Sequence, residues 1–321
     1  MRAGAALSSF RRARMKAPMF VFHPGYDPPS APSGFPTGRS GAALAALSAH
    51  WPGLVSWKPT PAGRHNLLRV HRADYVDAVL EARVPPAIER RIGFPITPEM
   101  AARAELAVGG TIAAVGQALW EGVGINLAGG AHHAMPEGGA GYCVFNDLAV
   151  AAAWALDGLI ERLLVIDLDV HQGDGTAICL ADVPGVFTFS LHAEKNFPAR
   201  KARSSRDVAL PDGTGDARYL ETLAVELPGL FDAARPDLVL VQAGVDVHVQ
   251  DRLGRLALTD AGIAQRSALV RDACRAAGVP LAATMGGGYD DDRARLGQRH
   301  AIALMHLVDD RFPVGTGIAS A

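Results

Sequence analysis

The sequence has only three cysteines, Cys143, Cys179 and Cys274, and they lie far apart. Their number and spacing exclude a disulfide framework and a structural zinc finger, and they favour a reducing, cytoplasmic setting. No run of 18 apolar residues is present, so neither a transmembrane helix nor a membrane partner is expected. A formal net charge of −2 lacks the basic field that direct nucleic-acid binding needs. A small or locally bound substrate is therefore expected, and assembly into a homo-oligomer stays open.

The N-terminal segment, residues 1–18, contains five basic residues and no acidic one. It has no apolar core of the kind found in a secretory signal peptide. We interpret it as a disordered tail, with a wrong start codon or an organellar targeting peptide as alternatives. The remaining residues, 19–321, are long enough and apolar enough to form one large domain.

Short apolar runs alternate with helical patterns along this domain. The strand-like runs are residues 19–23, 124–128, 163–169, 185–191, 237–244 and 280–286. Three helices follow from their capping residues: one after Thr97 to about residue 120, one capped by Asp147 to about residue 156, and one between Thr259 and Gly278. Because the strands are apolar on both faces, the sequence predicts a single-domain three-layer αβα fold with a mainly parallel central sheet.

Polar clusters follow five of the strand-like runs, where each strand ends. Since the carboxyl ends of parallel strands meet at one edge of a sheet, we expect a single site built from all five. The clusters are GGAHHA (129–134), DLDVHQGDG (167–175), SLH (190–192), GVDVH (244–248) and GGGY (286–289).

Asp169 and His171 are two positions apart, so at a strand end they point to the same side and can hold one ion. Asp246, at the end of another strand, could supply a third ligand. One histidine and two carboxylates leave positions open for water and substrate, which is typical of a catalytic metal site. A lone buried histidine is more often just hydrogen-bonded in a core, but that explanation would have to hold at several strand ends at once.

The adjacent His132 and His133 have no evident packing role and could move protons for a water molecule on the metal. Each imidazole would need a carboxylate to fix its tautomer, and Asp167 and Asp174 are candidates. Tyr289 follows three glycines that let the backbone approach the site, and its phenol could donate a hydrogen bond to an oxyanion.

These motifs, in this order, resemble the histone deacetylase superfamily, which includes acetylpolyamine amidohydrolases and shares its fold with arginase. The resemblance spans about residues 22–300, and its carriers are LAGGAHHA, GYCVFND (141–147), DLDVHQGDGT, FSLH, QAGVDVH and MGGGY. It implies an arginase/deacetylase-like fold and a catalytic domain over residues 19–321. It also implies that Asp169, His171 and Asp246 bind one Zn²⁺, or Fe²⁺ in the cell.

The resemblance implies roles for further residues. His132 and His133 would be the tandem general base and acid, with Asp167 behind the first and Asp174 behind the second. Tyr289 would polarise the scissile carbonyl. The expected substrate tunnel comprises Tyr142 and Phe197 as aromatic walls with Gly141, Leu253 and Gly287. A structural K⁺ would bind oxygens of Asp167, Asp169, His171, Ser190 and Leu191.

Where many members of the superfamily have Asp-Pro-Leu-Gly, this chain has DRLG at 251–254. That sequence is more similar to the class IV branch and its bacterial relatives. We expect hydrolysis of an acetyl or longer acyl group on a lysine side chain or similar primary amine, with acetylpolyamines or a small metabolite as alternative substrates. Other hypotheses are a two-metal ureohydrolase, a phosphatase with a DxD nucleophile and a non-catalytic acyl-lysine-binding protein.

Overall fold

The computed structural model of the protein describes residues 19–29, 35 and 37–308. The predicted tail, residues 1–18, lies outside the described residues. The described strands are β1 (Met19–Val21), β2 (Val55–Trp57), β3 (Val123–Asn126), β4 (Leu163–Asp167), β5 (Val186–Ala193), β6 (Arg206–Leu210), β7 (Leu238–Gln242) and β8 (Leu281–Thr284). They form one sheet in the order β2-β1-β3-β8-β7-β4-β5-β6, and every neighbouring pair is parallel. The predicted α/β class is confirmed.

Helices cover both faces of this sheet. They are α1 (Arg39–His50), α2 (Arg64–Leu67), α3 (Ala73–Leu80), α4 (Pro86–Ile92), α5 (Pro98–Glu121), α6 (Asp147–Leu156), α7 (Asp174–Leu180), α8 (Asp216–Ala234), α9 (Asp260–Ala277) and α10 (Arg293–Met305). Leu164 and Ile166 of β4 belong to a core shared with α1, α8, α9 and α10. Leu163 and Val165 belong to the opposite core, shared with α5, α6 and α7. The alternation of a strand's side chains thus produces the predicted three layers.

The predicted limits of α5 and α9 are confirmed. Thr97 and Thr259 each accept a hydrogen bond from a backbone N–H in the first turn of the helix that follows. Gly278 ends α9 in the left-handed conformation, with φ of 68°, where glycine is favoured. Strands β2 and β6 were not predicted because they are edge strands with largely exposed residues and no continuous apolar run.

The cap predicted for α6 is wrong by one residue. The side chain of Asn146, not Asp147, accepts the N–H of Ala149 at 2.9 Å. Asp147 is the first helical residue, and its buried carboxylate accepts the N–H groups of Gly130 at 3.0 Å and Ala131 at 2.7 Å. It therefore shapes the loop that carries the predicted histidine pair.

A smaller apolar cluster joins α2, α3 and α4 to the first turns of α5. It supports the segment that follows the histidine pair, because the N–H groups of Gly141 and Tyr142 donate to the carbonyls of Arg91 and Ile92 at 2.9 and 2.8 Å. Among the described helices, none combines the length and the apolar character that a membrane crossing requires.

Candidate metal and catalytic site

The three predicted metal ligands meet at the carboxyl ends of β4 and β7. These strands pair in parallel with Asp167 opposite Gln242, so Asp169 and Asp246 leave the sheet side by side. One ligand atom from each of Asp169, His171 and Asp246 lies within 4.8 Å of the other two, and all three residues are buried. His171 Nδ1 lies 2.9 Å from Asp169 Oδ1 and 3.1 Å from Asp246 Oδ2.

Backbone and amide donors fix the carboxylates. Asp169 Oδ2 accepts hydrogen bonds from Gln242 Nε2 at 2.6 Å and from the N–H of Gly287 at 2.8 Å. Asp246 Oδ1 accepts the N–H of Val170 at 2.9 Å. These bonds orient the remaining oxygens toward His171, as the supporting contacts of a metal site do.

The electrostatics of this group favour a cation. Burial and the neighbouring Asp169 raise the pKa of Asp246 to about 7. Burial opposes charge on His171 too, but Asp169 and Asp246 outweigh it and raise the pKa of the imidazole to about 10. Two carboxylates crowded in a buried site therefore retain a proton in the metal-free protein. A borderline divalent ion bound to oxygen and imidazole nitrogen would replace that proton, so the donor set fits Zn²⁺ or Fe²⁺.

No second group of this kind occurs among residues 19–29, 35 and 37–308. The two-metal ureohydrolase hypothesis needs bridging carboxylates, and Asp246 is the single acidic residue of QAGVDVH.

The histidine pair lies beside the three ligands, and each imidazole has its own carboxylate. His132 Nδ1 lies 2.7 Å from Asp167 Oδ2, and His133 Nδ1 lies 2.6 Å from Asp174 Oδ1. Their ring centroids are 4.1 Å apart. Because the carboxylates engage both Nδ1 atoms, both Nε2 atoms are left to face the site.

The two imidazoles differ in charge preference in the metal-free protein. Burial disfavours the charged form of His132, but Asp167 and Asp169 outweigh this effect and raise its pKa to about 9. Burial and the adjacent His132 lower the pKa of His133 to about 4. His133 is thus neutral near pH 7 and able to accept a proton.

The aromatic residues predicted for the substrate tunnel flank this site. The ring of Phe197 lies 4.8 Å from that of His133 at 88°, and the ring of Tyr142 lies 5.9 Å from that of Tyr289. Phe197 and Leu253 are 46% and 42% exposed, which places both at a solvent-facing opening. Tyr142 has φ of 64°, a conformation uncommon for a side chain of this size. Gly141 and Gly287, the two glycines predicted for the tunnel, also lie beside the site.

These glycines permit close approach. A Cβ atom at Gly141 would lie 2.7 Å from the ring of His133 and 3.2 Å from Phe197. One at Gly287 would lie 2.1 Å from Asp246 Oδ2, so Gly287 borders the metal ligands more closely than the tunnel opening. Any larger residue would push the backbone away from the site.

Tyr289 faces the same space, with its ring centroid 6.4 Å from that of His171. Burial, Asp246 and Asp169 hold the pKa of its phenol well above the usual value. The hydroxyl therefore stays protonated and can donate a hydrogen bond. The N–H of Tyr289 donates to Asp251 Oδ2 at 2.7 Å, which ties this residue to the DRLG segment.

A buried ion pair anchors the chain directly after Tyr289. Asp290 Oδ2 accepts a hydrogen bond from Arg299 Nη1 of α10 at 2.7 Å, and both side chains are almost fully buried. Arg295 also binds Asp290, at 2.7 Å. The arginines hold the pKa of Asp290 well below its ordinary value.

The residues predicted to bind potassium lie at the same strand ends. Asp167 of β4 pairs with Ser190 of β5 in the sheet register, and Leu191 is the next residue. Ser190 Oγ lies 3.0 Å from Nδ1 of His192. The potassium site stays a prediction.

Several residues of the site escaped the sequence analysis. Gln242 is one, and Asn196 is another: its Nδ2 donates to the carbonyl of Leu253 at 2.8 Å and lies 3.4 Å from His171 Nε2. Arg39 and Arg103 line the cavity beside the predicted catalytic residues. They come from α1 and α5, far from the motifs in sequence, and no local pattern marks them.

Comparison with known proteins identifies relatives along most of the chain. The histone deacetylase domain family matches residues 35–305. Histone deacetylase 2 of Arabidopsis thaliana is 31% identical over 74% of this chain and 64% of that protein. A probable deacetylase of Methanothermobacter thermautotrophicus is 29% identical over 85% of both chains. The crystal structure of the HDA15 HD domain superposes with a TM-score of 0.75 at 24% identity, covering 91% of this chain and 89% of that one.

Metal binding should release about one proton per ion, because the proton on His171 must leave before Nδ1 can bind. Calorimetry in buffers of different ionisation enthalpy measures this release.

Asp246→Asn should lower Zn²⁺ affinity about 100-fold or more. Asp182→Asn, at an exposed turn, is the control. Unchanged Zn²⁺ affinity in Asp246→Asn would contradict the assignment of this ligand.

Asp290→Asn should lower the free energy of unfolding by on the order of 3 kcal/mol, because it removes the buried anion of Arg299 and leaves only the more exposed Asp260, at 3.8 Å. Asp291→Asn is the matched control: Asp291 pairs with Arg252 but its side chain is 82% exposed, so the loss should stay below about 1 kcal/mol. Since the folded pKa of Asp290 is depressed, the difference from wild type should be full above about pH 5 and shrink as pH falls through the folded pKa. Urea unfolding at several pH values tests this, and equal effects of the two variants would refute it.

Proposed function

The chain belongs to the histone deacetylase family, and on that premise we propose that it is a metal-dependent amidohydrolase that removes an acyl group from a lysine side chain. The observation that supports this most directly is that three candidate metal-ligand atoms, two carboxylate-backed imidazoles and a protonated phenol lie close together. A non-catalytic acyl-lysine-binding protein would not need the metal-ligand atoms, the imidazoles and the phenol together. The three free cysteines fit the cytoplasmic location that we also propose.

We propose that the apolar part of the lysine side chain lies between Tyr142 and Phe197, with its amide directed inward. When bound by Asp169, His171 and Asp246, the ion would polarise the amide carbonyl and lower the pKa of a water molecule. His133, neutral near pH 7, would take the proton from that water through Nε2. Asp174, 2.6 Å from its Nδ1, would stabilise the resulting imidazolium.

The second half of the reaction returns the proton. As the C–N bond breaks, the His133 imidazolium would deliver it to the leaving amine. His132, held by Asp167 and close to Asp169, would supply positive charge beside the developing oxyanion. The phenol of Tyr289 would donate a hydrogen bond to that oxyanion from the other side.

Tyr289→Phe should reduce turnover of an acyl-lysine peptide about 100-fold or more without loss of bound metal, because one oxyanion donor is removed. Steady-state kinetics together with elemental analysis test this. Tyr26→Phe is the control, since its buried hydroxyl has no hydrogen-bond partner in the described part of the chain. Full turnover by Tyr289→Phe on both acetyl and longer acyl peptides would exclude the proposed role.

The charges around the tunnel opening favour a lysine in a protein over an acetylpolyamine. Arg91 lies next to the opening, because its carbonyl accepts the N–H of Gly141. The segment 194–203 surrounds Phe197 and has one acidic residue, Glu194. Five exposed cations with no ion-pair partner among the described residues lie on these two segments: Arg90, Arg91, Lys195, Arg200 and Arg203. They would repel a polyamine, which carries further positive charges.

Acetyl-lysine peptides with acidic flanking residues should therefore have kcat/KM values about fivefold or more above peptides with basic flanks at low salt. N-acetylated polyamines should be hydrolysed more slowly than either. The difference in kcat/KM between the two kinds of peptide should shrink in about 0.5 M NaCl, because salt screens the exposed charges at the tunnel opening. Reversal of the preference for acidic flanking residues in Arg91→Glu would support the placement of these cations at the tunnel opening. Faster hydrolysis of acetylpolyamines by the wild type would overturn it.

A further inference from the structure

A cavity of about 50 Å³ lies at the site and is lined by the proposed catalytic residues together with Tyr142. Its lining includes His132, Asp169 and Tyr289, so it is continuous with the space where the amide would react. Two arginines, Arg39 and Arg103, also line it. Neither is used by the proposed reaction.

Both guanidinium groups are held in place by backbone carbonyls. Arg39 is only 8% exposed, and its Nη1 donates to the carbonyl of Gly286 at 2.8 Å. Arg103 Nε donates to the carbonyl of Tyr26 at 3.0 Å, and its guanidinium carbon lies 4.5 Å from the centre of the Phe35 ring. Each arginine thus keeps further N–H donors that have no partner in the described part of the chain.

Two carboxylates, Asp27 and Asp147, offset the charge of Arg103 only in part, because both are hydrogen-bonded to other groups. Asp27 accepts the N–H groups of Gly38 at 2.9 Å and Gly41 at 2.7 Å, at the start of α1. Asp147 is used by Thr111 and by the loop ahead of His132. Burial and the charge of Arg39 lower the pKa of Arg103 to about 10, as expected for a desolvated cation without a paired anion.

We propose that Arg39 and Arg103 form a subsite for a carboxylate at the far end of the acyl group, so that the preferred substrates are lysines acylated by a short dicarboxylic acid such as succinate. The inference rests on the proposed function. Two guanidinium groups that line one cavity match a carboxylate in charge and in hydrogen-bond geometry.

The size of the cavity sets the length of the acyl group. A volume of about 50 Å³ corresponds to about three to five water molecules. The CH₂–COO⁻ end of a succinyl group has four non-hydrogen atoms and fits that space. A long fatty acyl chain does not, and its methylenes would leave both arginines without a partner.

The reaction balances as a simple hydrolysis. One water molecule is consumed, the amide C–N bond breaks and a C–O bond forms at the acyl carbon. The lysine amine receives a proton, and a dicarboxylate is released.

The test compares one peptide with four modifications of the same lysine: acetyl, butyryl, succinyl and succinamoyl. Succinamoyl has the size of succinyl without its charge. In the Zn²⁺-loaded wild type, kcat/KM for succinyl should exceed that for succinamoyl about 10-fold or more, the ratio expected for a charge-assisted pair. Arg103→Met should reduce this ratio because Arg39 alone remains, and Arg103→Lys should retain more of it than Arg103→Met. Because each ratio is taken within one variant, a general loss of activity cancels.

Arg218→Met, an exposed arginine on α8, is the control and should keep the wild-type ratio. Hydrolysis of acetyl-lysine without any preference for succinyl over succinamoyl would overturn the subsite and leave the proposed function standing. Failure of every acyl peptide in the metal-loaded protein would instead overturn the proposed function.

Binding measurements separate the two sources of a carboxylate. Calorimetry with succinamic and succinic acid, and with acetate, should show tighter binding of succinate and its loss in Arg103→Met. Tighter binding of acetate, lost in the same variant, would assign the arginines to the product of simple deacetylation and overturn the dicarboxylic preference.

Discussion

The structure of the site depends on one electrostatic constraint: the parallel sheet brings the carboxylates of Asp169 and Asp246 together where water is excluded. Adjacent strands β4 and β7 end in register, so the two side chains cannot avoid each other. Backbone N–H groups and Gln242 satisfy one oxygen of each. The remaining oxygens face His171, and in a buried site they need a positive charge that a proton supplies only partly. A divalent ion would meet this need.

Close packing of backbone around the ligands is the second requirement. A Cβ at Gly130 would lie 2.5 Å from the Cα of Gly286, so the loops after β3 and β8 touch through glycine. Gly286 has φ of 70°, which other residues adopt with strain. Arg39 then holds its carbonyl. The loop after β8 is fixed at its start by this arginine and at its end by the Asp290–Arg299 pair, so Tyr289 between them has a defined direction.

Much of this site could be predicted from residue spacing within single segments of the sequence. Asp169 and His171 share a side because they are two residues apart at a strand end, and the strand itself is a continuous apolar run. Glycine before His132 and before Tyr289 marked loops that approach a site. Gln242 and Asn196 could not be found in this way, because their partners depend on strand register and on loop packing across the chain. The cap of α6 was missed for a related reason: Asp147 suits a helix start, but the buried N–H groups of Gly130 and Ala131 engage its carboxylate.

The charges on either side of the metal ligands suggest how the proposed substrate and its products would be sorted. A neutral acyl-lysine amide becomes an ammonium and a carboxylate on hydrolysis. Arg39 and Arg103 line the cavity, where a carboxylate would gain ion pairs and the ammonium would meet like charge. The exposed cations near Phe197 outnumber the one exposed anion of that segment, Glu194, so the opening would do little to retain the ammonium. An acyl group with a carboxylate at its far end would bind the two arginines before the reaction as well as after it, because that carboxylate is present while the amide is still intact. The physical basis for acyl selectivity in this protein would then be the charge of two arginines that have no paired anion in the described part of the chain.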